Sequence, residues 1–397
     1  MAEKIYQSNL EALLSYSNLV PVDKKVLELS ADERIRRMTP FLLSWYEKNR
    51  RILPWRENPV PYYVWISEIM LQQTRVEAVK PYFTRFVEKL PDIRALAVVE
   101  EEVLLKLWEG LGYYNRARNL QKAAKIIVEQ YDGQMPPDYE KLLALPGIGS
   151  YTAGAIASIA YGIPVPAVDG NVLRVLSRIM ADDSDILKQS VKKKAERLLL
   201  ANMPEDKSAE FNQAMMEIGA MVCLPNGEPK CRECPLIPFC LAHAQESELS
   251  YPVKKAKKER RIEERTILIL HDAKERIAIE KRSDKGLLAG LYEFPNLEGR
   301  LSKEEVLACM EQWGYHVGSL EKLEPAKHIF SHVEWHMTGY ELWIDVQGNK
   351  PELLFVELSQ MREEYPLPNA FAAYKKWLGI MTEVKENREK NKGDESI

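Results

Sequence analysis

Four of the five cysteines, Cys223, Cys231, Cys234 and Cys240, fall within 18 consecutive residues of a 397-residue chain, spaced C-x7-C-x2-C-x5-C. A secreted disulfide scaffold of this length would need more cysteines and would spread them, so the cluster points to a metal site in a reducing compartment. Four thiolates with one close C-x2-C pair suit tetrahedral zinc and also suit an iron–sulfur cubane, with the balance slightly towards iron; spacing alone leaves both open. The fifth, Cys309, lies in an apolar helical stretch and is expected in a core.

Two carboxylates stand in patterned surroundings. In LLALPGIGSYTAGAIASIAYG (Leu142–Gly162), Pro146, Gly147 and Gly149 break the helix that Tyr139 to Ala144 suggests, and an alanine- and glycine-rich helix restarts at Ser150. Such a turn presents backbone N–H groups at a helix N-terminus, where a phosphate oxygen can be held without a side-chain charge; the plain alternative is a packing hairpin. Twenty residues past Gly149 comes Asp169, in VDGNVLR. Its plain role is to cap the helix that follows. Glu68 lies in YYVWISEIMLQQTRVEAV (Tyr62–Val79), where Glu68, Gln72 and Arg75 form a polar stripe opposite Trp65, Ile66, Ile69, Met70 and Val76. A polar stripe is ordinarily a solvated face.

The elements that must position these groups fall into two sets. Up to about residue 245 the rhythm is helical, in segments such as Ile35–Tyr46, Trp65–Leu90, Leu104–Tyr114 and Lys188–Asn202, with no convincing strand. Residues 251–265, YPVKKAKKERRIEER, predict a basic linker: positions 254–265 carry seven basic and three acidic groups, net +4. Strand-like runs follow (Thr266–Leu270, Arg276–Ile279, Thr338–Val346), with helices over Lys303–Trp313 and Ala370–Met381. The expected organisation is an N-terminal extension (1–30), an all-α domain (31–250), the linker, an α+β domain (266–381) and a disordered tail (382–397). In the extension, LEALLSYSNLV suits either a docking helix or a frayed one.

Composition, at 46% hydrophobic and 29% charged, is globular and excludes collagen-like, mucin-like and fully disordered chains. A net charge of 55 − 59 = −4 argues against binding nucleic acid through bulk positive charge, while leaving room for a local basic groove. No run approaches the ~18 apolar residues of a membrane span, and the charged N-terminus lacks a signal-peptide apolar region. A soluble, cytosolic protein with no membrane contact is expected.

LPGIG, its following helix and Asp169 together resemble the helix-hairpin-helix DNA glycosylase superfamily, and the four cysteines narrow the resemblance to its endonuclease III and MutY branches. LPWR (Leu53–Arg56) and SEIMLQQT (Ser67–Thr74) are similar to MutY-type adenine DNA glycosylases. The resemblance implies that Glu68 is the general acid and base, protonating N7 of adenine so that a poor leaving group departs neutral. It places Asp169 beside the sugar of a flipped-out nucleotide, where a fixed carboxylate stabilises the oxocarbenium ion. The lyase branch carries a lysine nucleophile at the position of Tyr151, which has no amine. A monofunctional glycosylase using water is therefore implied, with Tyr151 placed against the cationic sugar or its intermediate and Asn171 positioning Asp169 or the water.

By the same resemblance, Arg56 and Gln213 (in FNQAMMEIGAMVC) contact the adenine edge or its neighbours, and Gly147 and Gly149 hold phosphate. Gln72, Gln73, Thr74 and Tyr113 (in EGLGYYNRARNL) fill the gap left in the duplex, one of Tyr113 and Tyr114 being core instead. The cysteines would hold a 4Fe-4S cluster that fixes a basic loop against phosphates. The family spacing is C-x6-C-x2-C-x5-C; here Leu224–Lys230 holds one residue more, which the Asn226-Gly227 turn can absorb.

GLLAGLYEFPNLE (Gly286–Glu298) and the SKEEVLACMEQWGY helix resemble the Nudix fold of MutT hydrolases. Aligning the Nudix helix R-E-x-x-E-E-x-G on Gly314 puts Leu307, Ala308, Glu311 and Gln312 at the metal-box positions, so only one carboxylate remains and a binding module is expected. In the MutY type this domain reads 8-oxoguanine opposite adenine. The matching segment, HIFSHVEWHM, would bring Phe330, Ser331 and His332 to that base; the residues alone would make FSH a strand turn. The expected partner is thus double-stranded DNA carrying A opposite 8-oxoguanine or G, and the resemblance implies a bacterial-type monomer, nucleoid-associated in the cytoplasm. An endonuclease III-like bifunctional AP lyase is disfavoured by Tyr151, and a non-catalytic DNA-lesion-binding protein by the presence of both Glu68 and Asp169.

Overall fold

Helix starts follow local chemistry in the computed structural model, which describes residues 28–255, 259–346, 348 and 350–380. Ser30 opens α1 (Ala31–Asn49) through a reciprocal capping box with Glu33, and prolines in the first turn open α2 (Pro54–Glu57) and α3 (Pro61–Leu71), where the missing N–H has no partner to lose. Then come α4 (Val76–Lys89), α5 (Ile93–Val98), α6 (Glu101–Leu107), α7 (Asn115–Tyr131), α8 (Tyr139–Leu143), α9 (Ser150–Tyr161), α10 (Gly170–Met180), α11 (Gln189–Leu200), α12 (Ser208–Met221) and α13 (Leu241–Ala244). No helix among the described residues is long and apolar enough to cross a membrane. Residues 1–27, 256–258 and 381–397 lie outside the described residues, and with them most of the expected extension, part of the linker and the tail.

Two expected continuous helices are interrupted. Between α3 and α4, residues 72–75 form a turn in which Gln73 takes φ 59, so Gln72 and Arg75 do not extend a stripe begun at Glu68. The stretch Leu104–Tyr114 stops at Leu107, because Gly110 (φ 102) and Gly112 (φ 68) hold a left-handed turn that other residues resist.

The chain forms two units, and their division departs from the sequence boundary. The first comprises the described residues of Met1–Gln73, Leu90–Ala97 and Lys122–Ala256; the second comprises Thr74–Lys89, Val98–Gln121 and those of Lys257–Ile397. In the first, α1, α10 and α12 share a core of Ile35, Met38, Leu42, Val172, Phe211 and Ile218.

The second unit contains a seven-stranded sheet of β1 (Arg261–His271), β2 (Ile277–Lys281), β3 (Tyr292–Glu293), β4 (Asn296–Glu298), β5 (His316–Ile329), β6 (Val333–Val346) and β7 (Leu353–Val356), with main order β3-β2-β1-β6-β5. β1 begins at Arg261, so the last five residues of the expected linker are strand: they pair in parallel with Val333–Met337 of β6. Their charge misled the reading because this end of β1 is mostly exposed, whereas Thr266–His271 is buried. Side chains alternate between two covered faces. Ile267, Ile269 and Ile279 face a core with Phe371 and Tyr374, while Leu268, Leu270 and Ala278 face Val306 and Met310 of α14 (Lys303–Gln312). The chain continues through α15 (Leu358–Glu363) and α16 (Ala372–Trp377). Cys309, on α14, is only partly buried.

Candidate active site

α3 is buried from Val64 to Met70, which encloses Glu68 at 6% exposure. The first turn of α9 brings the Tyr151 hydroxyl to donate to Glu68 Oε2, with Met216 Sδ of α12 3.2 Å from the same hydroxyl. Burial pushes the Glu68 carboxyl up to about 7; the Tyr151 hydrogen bond opposes this, the nearby Asp169 charge adds to it, and the Arg56 charge again opposes it.

Asp169 caps α10, its Oδ1 accepting from the Val172 N–H at 2.8 Å and its Oδ2 from Asn171 Nδ2 at 2.7 Å. The plain capping role and the placement near Glu68 are one geometry. Burial raises the Asp169 carboxyl against these hydrogen bonds. Asn171 Oδ1 in turn accepts from Arg174 at 2.9 Å, and Arg174 also donates to the carbonyls of Gly219 and Cys223 at 2.7 and 2.8 Å. A Cβ at Gly219 would stand 2.7 Å from Asn171 Cβ, so glycine is what lets α12 approach here.

The LPGIG turn joins α8 to α9 as the glycines require: Gly147 has φ 76, and Gly149 is the extended cap of α9 with nothing near the position of a Cβ. Gly149 has no side chain with which to cap α9, and Ser150 Oγ donates to Glu196 at 2.8 Å. Gly154 sits where a Cβ would meet the Pro166 carbonyl at 2.3 Å, which packs α9 against the strand of chain leading to Asp169.

Sequence reasoning missed Glu217. This α12 carboxylate is 1% exposed and accepts from Arg51 at 2.8 Å through both oxygens, and from Arg56 at 3.2 and 3.1 Å. The two guanidiniums overcome burial and hold its carboxyl down to about 2. Arg56 therefore reaches the pocket already paired. The available signal was a lone acid in FNQAMMEIGAM, with arginines on both sides of Leu53-Pro54-Trp55. Gln213, one turn earlier on α12, donates to the Ala209 carbonyl at 3.3 Å. Gln72 and Gln73 lie in the turn that ends α3.

Cys223, Cys231, Cys234 and Cys240 are free thiols lining one apolar cavity of about 30 Å³. Burial pushes Cys231 up to about 12 and Cys240 up to about 11, so the thiolates such a donor set offers need a bound cation to form. The buried Arg178 places Nη1 3.1 Å from Cys223 Sγ. His243 and Glu248, 2.5 Å apart, stand within ligand reach of Cys231. Residues 225–228 of the first interval are exposed, with Gly227 at φ 71.

In the second unit, Phe330, Ser331 and His332 form the tip of the β5–β6 hairpin. Phe330 packs edge-on against His328 and Trp335, whereas Ser331 and His332 are exposed. Tyr113 is also exposed, in a left-handed conformation (φ 47), and its hydroxyl lies 3.0 Å from Ser331 Oγ; Tyr114 is the core residue of the pair. Thr74 opens the segment that leads into α4. Glu311 is the sole carboxylate at the Nudix-box positions of α14.

Residues 66–200 match the HhH-GPD superfamily of base excision DNA repair proteins, and residues 266–377 match the NUDIX domain. The adenine DNA glycosylase of Buchnera aphidicola (Schizaphis graminum strain) is 36% identical over 299 residues, which is 75% of this chain and 85% of that one. This chain belongs to the adenine DNA glycosylases. The mouse member is 35% identical over 361 residues (77% of this chain, 70% of that one), and the human member 33% over 365 (77% and 67%). The family assignment makes the chain a base excision repair DNA glycosylase that works on DNA, with a helix-hairpin-helix region followed by a Nudix-like domain.

Proposed function

We propose that the chain hydrolyses the N-glycosidic bond of adenine mispaired with 8-oxoguanine or guanine in duplex DNA, with no lyase step. The observation that carries this is the convergence of buried Glu68 with the partly buried Tyr151 and Asp169, Tyr151 donating to Glu68 and the Asp169 charge acting on it. With its carboxyl raised to about 7, Glu68 retains a proton near neutrality and can donate it to N7 of a flipped-out adenine. Asp169, held by the Val172 N–H and Asn171, supports the cationic sugar. Tyr151 occupies the position where the lyase branch has its lysine and offers no amine, so water ends the reaction.

The four thiols fit a 4Fe-4S cluster, since they line one largely apolar cavity with the Arg178 guanidinium beside Cys223. Cys223, Cys231, Cys234 and Cys240 would hold it, and its contribution when bound is to fix the Lys230–Arg232 loop against phosphates. Phe330, Ser331 and His332 are read as the contact to 8-oxoguanine, with Ser331 offering a hydroxyl to its N7–H and O8 edge. The test is single-turnover incubation with an A:8-oxoguanine duplex, analysed with and without alkali. Free adenine with strand breaks only after alkali is expected. Breaks without alkali would overturn the monofunctional reading, and no free adenine would overturn the whole.

A further inference from the structure

The turn that carries Tyr113 is held from the C-terminal part of the second unit by groups that neither proton transfer nor base reading uses. Glu109, 9% exposed at the start of the turn, accepts from Lys375 of α16, itself 3% exposed, and from Lys106 at 2.7 Å. Lys375 also donates to the Leu367 carbonyl at 3.1 Å, and Lys106 to that of Tyr365 at 3.0 Å. Asn369 Nδ2 donates to the Gly110 carbonyl at 3.0 Å. From within its own helical segment the turn is fixed by Trp108 and Arg116, which donate to the Gly112 carbonyl at 3.1 and 3.0 Å. Gly110 packs closely against Tyr82, since a Cβ there would lie 2.0 Å from the Tyr82 hydroxyl.

A left-handed non-glycine residue such as Tyr113 persists only where its surroundings over-determine the backbone. A buried carboxylate between one buried and one partly buried ammonium group, Lys375 and Lys106, is costly to disrupt, because removing one partner leaves the others desolvated and less well paired. We propose that Lys375 and Asn369 are positioning residues for the Tyr113 wedge: they set the turn before DNA arrives, so the Nudix-like region presets base extrusion in addition to its proposed reading of the opposite base. The inference rests on the proposed function and on the gap-filling role that the resemblance implies for Tyr113, and it concerns how that wedge is aimed.

The test is a double-mutant cycle on the full chain, combining Lys375→Met and Asn369→Ala separately with Tyr113→Ala, and reading single-turnover adenine release from an A:8-oxoguanine duplex. Asn369 is exposed, so its variant keeps the cycle readable if Lys375→Met fails to fold. Each variant should slow release by about tenfold with Tyr113 present and less than about twofold with Tyr113 already removed, and Lys375→Arg should restore most of the rate. Equal losses on both backgrounds, or no loss in folded variants, would overturn the inference. A second readout separates it from the proposed chemistry: in Glu68→Gln protein, 2-aminopurine beside the mispair should brighten less when Asn369→Ala is added. If the wild type releases no adenine, the reaction assignment fails while this fluorescence comparison still decides the wedge role; an unchanged fluorescence rise would sink it.

Discussion

Two glutamates of the first unit are both buried, and their carboxyls are shifted in opposite directions. Glu68 on α3 is 6% exposed and its carboxyl is pushed up to about 7; Glu217 on α12 is 1% exposed and held down to about 2. Burial alone penalises the charge on both. The partners decide the outcome. Glu217 has two guanidiniums in hydrogen-bonding contact, each bidentate, whereas Glu68 has a neutral phenol and a neighbouring carboxylate, with Arg56 acting only at a distance. Arg56 links the two sites. By engaging it, Glu217 takes up a cation whose contact with Glu68 would ionise the acid that the reaction needs.

The sharpest way to break this contrast is to remove the proton carrier. Glu68→Gln should lower single-turnover adenine release by about 10²- to 10⁴-fold, with DNA affinity nearly unchanged in a filter-binding titration. Next in size, Glu217→Gln leaves two arginines without their carboxylate and should cost about 3–5 kcal/mol in denaturant unfolding. Retention of full stability would show that the pair is dispensable.

The two acids should also bend stability with pH in opposite senses. Folded Glu68 holds its proton more tightly than the unfolded chain does, so stability falls as pH rises from the ordinary 4.5 through about 7. Glu68→Gln should therefore raise the Tm at about pH 8 and change it little at about pH 4.5. Folded Glu217 holds its proton less tightly, so its contribution is present above 4.5 and is lost as pH falls towards about 2. The smallest effect expected is from Tyr151→Phe, which removes a hydrogen bond favouring the charged form of Glu68. It should move the alkaline limb of the rate profile upward, with the plateau rate changed by less than about tenfold. A downward shift would mean that Tyr151 does not stabilise the Glu68 carboxylate.

The residues legible in advance were those whose backbone demands are local. Pro146 and Gly147 announced a hairpin; Asp169 announced a cap; four close cysteines announced a shared cavity. The fourteen-residue β5 went unseen because it is largely exposed and so lacks the alternating burial that marks a strand. Lys254 to Arg265 concealed the start of β1 for the same reason, since charged side chains at an exposed strand end look like a tether. Glu217 was hidden because its meaning lies in Arg51 and Arg56, more than 160 residues away in sequence. No local pattern carries such a pairing. The division into units was equally non-local, resting on contacts such as Lys375 with Glu109.

The β5–β6 hairpin makes the aim of its tip a matter of counting. Near the tip the pairing is regular, Ile329 opposite Glu334 and His328 opposite Trp335, while the register irregularities lie further back, between Leu323 and Ala326 and around Val317. Successive side chains alternate, so one residue gained or lost on the tip side would exchange the packed position of Phe330 with the exposed one of Ser331. The same change behind the irregularities could be absorbed by the bulges already there. Length variation in this arm is thus tolerable at its base and forbidden at its end.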